Sequence, residues 1–125
     1  MAKSNVDAAS ASIVSSVNRM RAAKFRVGDV VRHKIYPFRG IVYDIDPVFN
    51  STEEWWQSIP EEIRPSKDQP YYHLLAENAK TEYIAYASEQ NLLPDTSTEP
   101  LRHPQVTEMF KKEAGTYQAL FLNRH

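Results

Sequence analysis

The sequence predicts a mainly β protein, a small SH3-like five-stranded β-barrel with a short helical insert and a C-terminal helical tail. Three observations carry that prediction. Residues 24–48, KFRVGDVVRHKIYPFRGIVYDIDPV, hold two β-branched groups, Val27, Val30, Val31 and Ile35 and then Ile41, Val42 and Ile45, with Pro37 and Gly40 between them. Residues 70–77 and 82–87, PYYHLLAE and EYIAYA, repeat the pattern as two alternating strands around a turn at 78–81. A length of 125 residues with 42% hydrophobic content, three glycines and eight prolines suits one globular core and excludes a fibrous chain.

Taken in order, residues 1–23 form a flexible or weakly helical arm: Ile13, Val14, Val17 and Met20 share one helical face, but so short a helix is marginal alone. The barrel domain is expected over 24–94. In its first hairpin Pro37 lacks the N–H a ladder needs and Gly40 tolerates a tight or positive-φ conformation, so the turn falls there. Gly28-Asp29 opens the hairpin and Asp46-Pro47 stops it. Residues 50–70 interrupt the strands. Ser51 or Thr52 can cap a short helix with Glu53 and Glu54 in its first turn, and Pro60, Pro65 and Pro70 then cut the segment into short pieces.

In the second hairpin Tyr72 and Leu74 face one side and Tyr71, His73 and Leu75 the other. On its partner strand Tyr83, Ala85 and Ala87 oppose Ile84 and Tyr86. Residues 88–93, SEQNLL, make a turn into a short closing strand. Residues 95–125 are read as a linker and helical tail, with Pro104 in the first turn of a helix reaching about Ala114. Val106, Met109 and Phe110 share its face and Gly115 ends it. Tyr117, Leu120 and Phe121 then pack back onto the barrel or against another subunit.

With no cysteine there is neither a disulfide framework nor a thiolate metal site, which points to a reducing compartment and so to the cytoplasm. No apolar run reaches the ~18–20 residues that span a bilayer, and residues 1–22 lack an apolar export core, so neither anchor nor signal is expected. A formal net charge of −1 does not describe a dedicated polyanion binder.

Charge is nevertheless uneven. Residues 24–39 carry five Lys/Arg and one acid, whereas Glu53, Glu54, Glu61, Glu62 and Asp68 crowd the following loop. Arg26, Arg32, His33, Lys34 and Arg39 are the candidate nucleic-acid contacts, able to follow a phosphate backbone; the same cations can equally form a solvated strand face. Trp55, Trp56, Tyr71, Tyr72 and Phe121 are the candidate partner contacts, since large aromatics dominate both cores and interfaces. The Trp pair either pins the loop to its own core or forms a hot spot. Asp44 and Asp46 share a strand face, but a strand-end turn accounts for them, and no metal site is assigned. His73 is read as a structural residue bonding across the sheet. No HExxH, P-loop, GxGxxG or Ser/His/Asp arrangement is present, so neither catalysis nor a cofactor is expected.

Phe25, Gly28, Val31-Arg32-His33, Gly40-Ile41-Val42, Asp44-Ile45-Asp46-Pro47, Tyr72-His73 and Tyr86 with Glu89 and Leu92 together resemble the HspQ/YccV family over about residues 24–93. The Trp-Trp loop is longer than in some relatives, and Tyr71 stands where the family often has Trp. The resemblance implies an SH3-like barrel, a small homo-oligomer, a trimer, and no catalytic residue. It also implies two roles: a specificity-enhancing factor that binds the ATP-dependent protease Lon and promotes degradation of selected denatured proteins, and a preference for hemimethylated DNA.

Overall fold

The computed structural model describes residues 23–123; the expectation for the N-terminal arm lies outside them, apart from Ala23. Five strands, β1 (Val30–His33), β2 (Arg39–Asp46), β3 (Tyr71–Glu77), β4 (Glu82–Ser88) and β5 (Leu92–Pro94), form one antiparallel sheet in the order β4-β3-β2-β1-β5. No ladder joins β4 to β5 among the described residues, so the sheet keeps two edges and is not a closed barrel. Both hairpins, the closing strand and the mainly β class are as the sequence predicts.

Alternation along the strands divides the core between the two faces. One face gathers Phe25, Val31, Val42, Tyr72, Leu74, Ala76, Ala87 and Leu92. The other gathers Ile41 and Leu75 with Val106, Phe110 and Ala119 from the C-terminal segment. Val42 and Ile45 are three residues apart, a spacing that strict alternation would put on opposite faces. A register shift between Val42 and Asp44 resolves the conflict: one extra residue in β2 turns Ile45 back toward the face of Val42.

Gly40 corrects the turn reading. It lies inside β2 opposite Val31 and Ala76, where an added Cβ would stand 2.6 Å from the Leu75 carbonyl oxygen. Close approach of neighbouring strands, not turn geometry, requires glycine there. The 50–70 segment keeps its predicted form: α1 (Glu53–Gln57) is capped by Thr52, whose Oγ1 accepts from the Trp55 N–H at 3.0 Å.

The tail departs from expectation. Helix α2 is confined to Val106–Met109, and β6 (Phe110–Glu113) pairs with β7 (Thr116–Ala119) before a closing 3-10 turn at Leu120–Asn123. Ala114 and Gly115 both have positive φ, 51° and 84°, the signature of a two-residue hairpin turn. The glycine taken for a helix end is half of that turn. Tyr117 and Phe121 pack against the outer core, whereas Leu120 is 39% exposed.

Replacing Gly40 by Ala forces a Cβ against backbone that cannot yield without opening the sheet. The expected loss is about 1–3 kcal/mol, read as a lower urea midpoint.

Candidate interaction surfaces

The five basic-hairpin residues do not form one surface. Arg39 is enclosed: Nη1 lies 3.1 Å from Glu77 Oε2, Nη2 lies 3.0 Å from Asp95 Oδ2, and Nη2 also donates to the Glu99 carbonyl at 2.8 Å. Both carboxylates are over 90% buried, so this guanidinium is fully committed inside the fold. His33 is committed too. Its Nδ1 accepts from the N–H groups of Ile35 and Tyr36 at 3.1 and 3.0 Å, and its ring packs between Tyr36 and Phe38. Burial holds its pKa below the usual histidine value, and the accepting nitrogen needs the neutral ring. Arg26, Arg32 and Lys34 are exposed, with no ion pair among the described residues.

The five aromatic candidates also separate. Tyr72 is fully buried; its hydroxyl donates to Glu89 at 2.7 Å and accepts from the Phe25 N–H at 3.3 Å. Burial first, then the Glu89 hydrogen bond, pushes its pKa up. Tyr71 is likewise fully buried, donates to the Ser66 carbonyl at 2.9 Å, and has a pKa pushed up to about 12 by burial. Trp55 and Trp56 are half-buried. Trp55 stacks on Phe49 and meets Tyr86 edge-on. Trp56 donates from Nε1 to the Pro65 carbonyl at 2.9 Å, with the Lys67 ammonium 4.4 Å from its ring centre and the Arg64 guanidinium 5.0 Å away. Phe121 packs edge-on to Phe110 in the outer core. Tyr71 and Tyr72 therefore act as internal groups here, and the Trp pair forms the outer wall of the loop.

Asp46 joins the loop to the sheet. Its Oδ2 accepts from the Tyr86 hydroxyl at 2.7 Å and lies 2.9 Å from His73 Nε2, the cross-sheet bond expected of His73. Ligand atoms of Asp44, Asp46 and His73 fall within 4.8 Å of one another, but the Asp46 oxygen is already engaged twice.

Sequence reasoning missed two features. Glu77 and Asp95, which neutralise Arg39, are 38 and 56 residues away along the chain, beyond any local pattern. Ile84 is 52% exposed in the middle of β4, beside a groove of about 260 Å³ between the β1–β2 turn and the proline-rich loop. No helix among the described residues is long and apolar enough to cross a membrane.

Residues 23–117 match the family model described as "Hemimethylated DNA-binding protein YccV like". Among curated proteins the chain is similar to F-box only protein 21 of Mus musculus, 27% identical over 103 residues, and of Homo sapiens, 26% identical over 103 residues. Each match covers 82% of this chain but 16% of the relative, so the chain spans about a sixth of those proteins. No solved structure is a significant match.

Arg39→Met strands two buried carboxylates and is expected to cost about 3 kcal/mol by urea denaturation, the low end for breaking a buried pair because Arg39 keeps 17% exposure. For His33 the folded pKa lies below its ordinary value of 6.5, so between the two values the unfolded chain binds more protons. Stability should fall as pH drops below about 6.5, and the difference between wild type and His33→Gln across pH 5–7 isolates that contribution.

Proposed function

The chain belongs to the YccV-like family, and from that premise we propose that it is a non-catalytic cytoplasmic adaptor. In this reading it is a specificity-enhancing factor that binds the ATP-dependent protease Lon, assembles as a small homo-oligomer, a trimer, and promotes degradation of selected denatured proteins. The observation that carries the reading is the contrast between closed cations and open apolar groups. Arg39 is neutralised by two buried carboxylates and His33 spends its Nδ1 on two backbone N–H groups, while Ile35, Tyr36, Ile84 and Leu120 stand 47%, 44%, 52% and 39% exposed. Outward-facing large apolar side chains favour contact with protein over contact with a polyanion. Trp55 and Trp56, half-buried on the loop, are the aromatic groups best placed to add to such a contact.

A second reading has its own support. The matching family is described as binding hemimethylated DNA, and Arg26, Arg32 and Lys34 remain exposed for phosphates. Three cations limit the slope of log affinity against log salt to about −3.

The deciding experiment follows the rate at which Lon degrades a heat-unfolded substrate with and without the full chain, alongside the level of the chain itself. Several-fold acceleration is expected; no change at saturating concentration overturns the adaptor reading. In parallel, the double variant Arg32→Glu, Lys34→Glu should abolish binding to a hemimethylated duplex if those cations hold DNA. Unchanged affinity removes them from any DNA surface.

A further inference from the structure

Strand β4 pairs with β3 through every residue from Glu82 to Ser88, and among the described residues no strand lies on its other side. In an antiparallel ladder alternate residues aim their N–H and C=O groups away from the partner, so β4 presents a row of donors and acceptors that no strand among the described residues pairs. Edge strands are normally blunted by charge, proline, bulges or a covering segment. The strand EYIAYAS has one charge, at its first residue, no proline and a continuous register, and Ile84 stands exposed at its middle.

The groove beside this edge touches six consecutive residues, Tyr83 to Ser88. Phe38 packs edge-on against Tyr83 and Trp55 against Tyr86, so the two walls lie against opposite faces of β4. Ile59 and Ile63 extend the Trp55 wall. At the far end Ser88 is 2% exposed, and its hydroxyl has no hydrogen-bond partner among the described residues. A buried orphan hydroxyl is uncommon and marks a place where a further polar group fits.

We propose that the groove takes an extended polypeptide segment as an added strand on β4. Its backbone pairs with the free edge, its alternate apolar side chains enter between the two walls, and basic residues flank it. The apolar alternation follows from the period-2 geometry of a strand lying between walls on both faces. The basic flank follows from Glu54, Glu61 and Glu62, which are exposed along the proline-rich loop without an ion pair among the described residues. The loop carries Glu53, Glu54, Glu61, Glu62 and Asp68 against Arg64 and Lys67, and this acidic excess disfavours a second copy as occupant, because two-fold β4–β4 pairing would set two loops of like net charge side by side. This inference rests on the adaptor reading and names the surface that would hold its unfolded substrate.

The test uses the full chain without Lon and a fluorescein-labelled peptide, Lys-Val-Thr-Val-Thr-Val-Thr-Lys. Anisotropy should report saturable binding, and amide hydrogen exchange within 83–87 should slow by about tenfold or more on addition of peptide. Ile84→Lys should weaken binding by about tenfold, since a charged side chain is a natural edge block. Because Ile84 is half exposed, the urea midpoint of that variant should stay at the wild-type value, and Ile84→Thr should bind like wild type. Exchanging both peptide lysines for glutamate should weaken binding to the same degree. No binding by wild type, equal binding by Ile84→Lys, or protection confined to other strands overturns the proposal, as does β4 protection that appears with rising protein concentration and ignores peptide. Peptide binding without acceleration of Lon would sink the protease reading alone; acceleration without β4 protection would sink the groove alone.

Discussion

The bonds of one guanidinium hold three parts of the molecule in place. Arg39 stands at the start of β2, reaches Glu77 at the end of β3, and closes on Asp95 and the Glu99 carbonyl just after β5. The ends of the central strands and the return segment meet at this point, and the return segment then leads to α2 and the outer hairpin. Bringing such a charge out of water is costly unless its hydrogen bonds are met, and here two carboxylates and two backbone carbonyls, of Glu99 and Pro100, meet them. The same arrangement removes the most enclosed cation from the basic hairpin, so fold and surface charge are set by one interaction.

A third carboxylate does comparable work at the opposite end of the sheet. Asp46 receives the Tyr86 hydroxyl and faces His73, while Asn50 donates its N–H to Tyr86 at 2.9 Å. Phe49, Trp55, Tyr71 and Tyr86 pack around this point with ring separations of 5.2–6.1 Å. The proline-rich loop is thus fastened by aromatic packing below and hydrogen bonds at its root. It can carry acidic residues and half-exposed tryptophans on its outer side without losing its place.

Most of the sheet was legible because strand alternation is a local signal. Tyr72 and Leu74 against Leu75, and Tyr83 and Ala85 against Ile84, follow directly from period 2, and the Thr52 cap follows from its position before two glutamates. The C-terminal hairpin was not legible. Val106, Met109 and Phe110 satisfy a helical stripe, and Gly115 serves a helix end and a two-residue turn equally well. The bulge in β2 was hidden because Ile41, Val42 and Ile45 read as one β-branched group whatever their register. At the candidate surfaces, exposure of Arg26, Arg32 and Lys34 accords with their charge. Enclosure of Arg39 and openness of the β4 edge depend on residues remote in sequence and on sheet order, which no local pattern encodes.

The turn between β6 and β7 sets an order of opening. Ala114 holds a left-handed backbone, φ 51°, that a residue with a Cβ adopts at a cost of about 1 kcal/mol and that glycine or asparagine would adopt more readily. The hairpin it closes has only four residues per strand, and Lys111, Lys112, Glu113 and Gln118 all face solvent. The sheet meanwhile has its own inner core on the other face. Partial unfolding should therefore begin by release of the outer hairpin while the five strands persist. That species bares Ile41 and Leu75 and is the form most prone to aggregate under thermal stress.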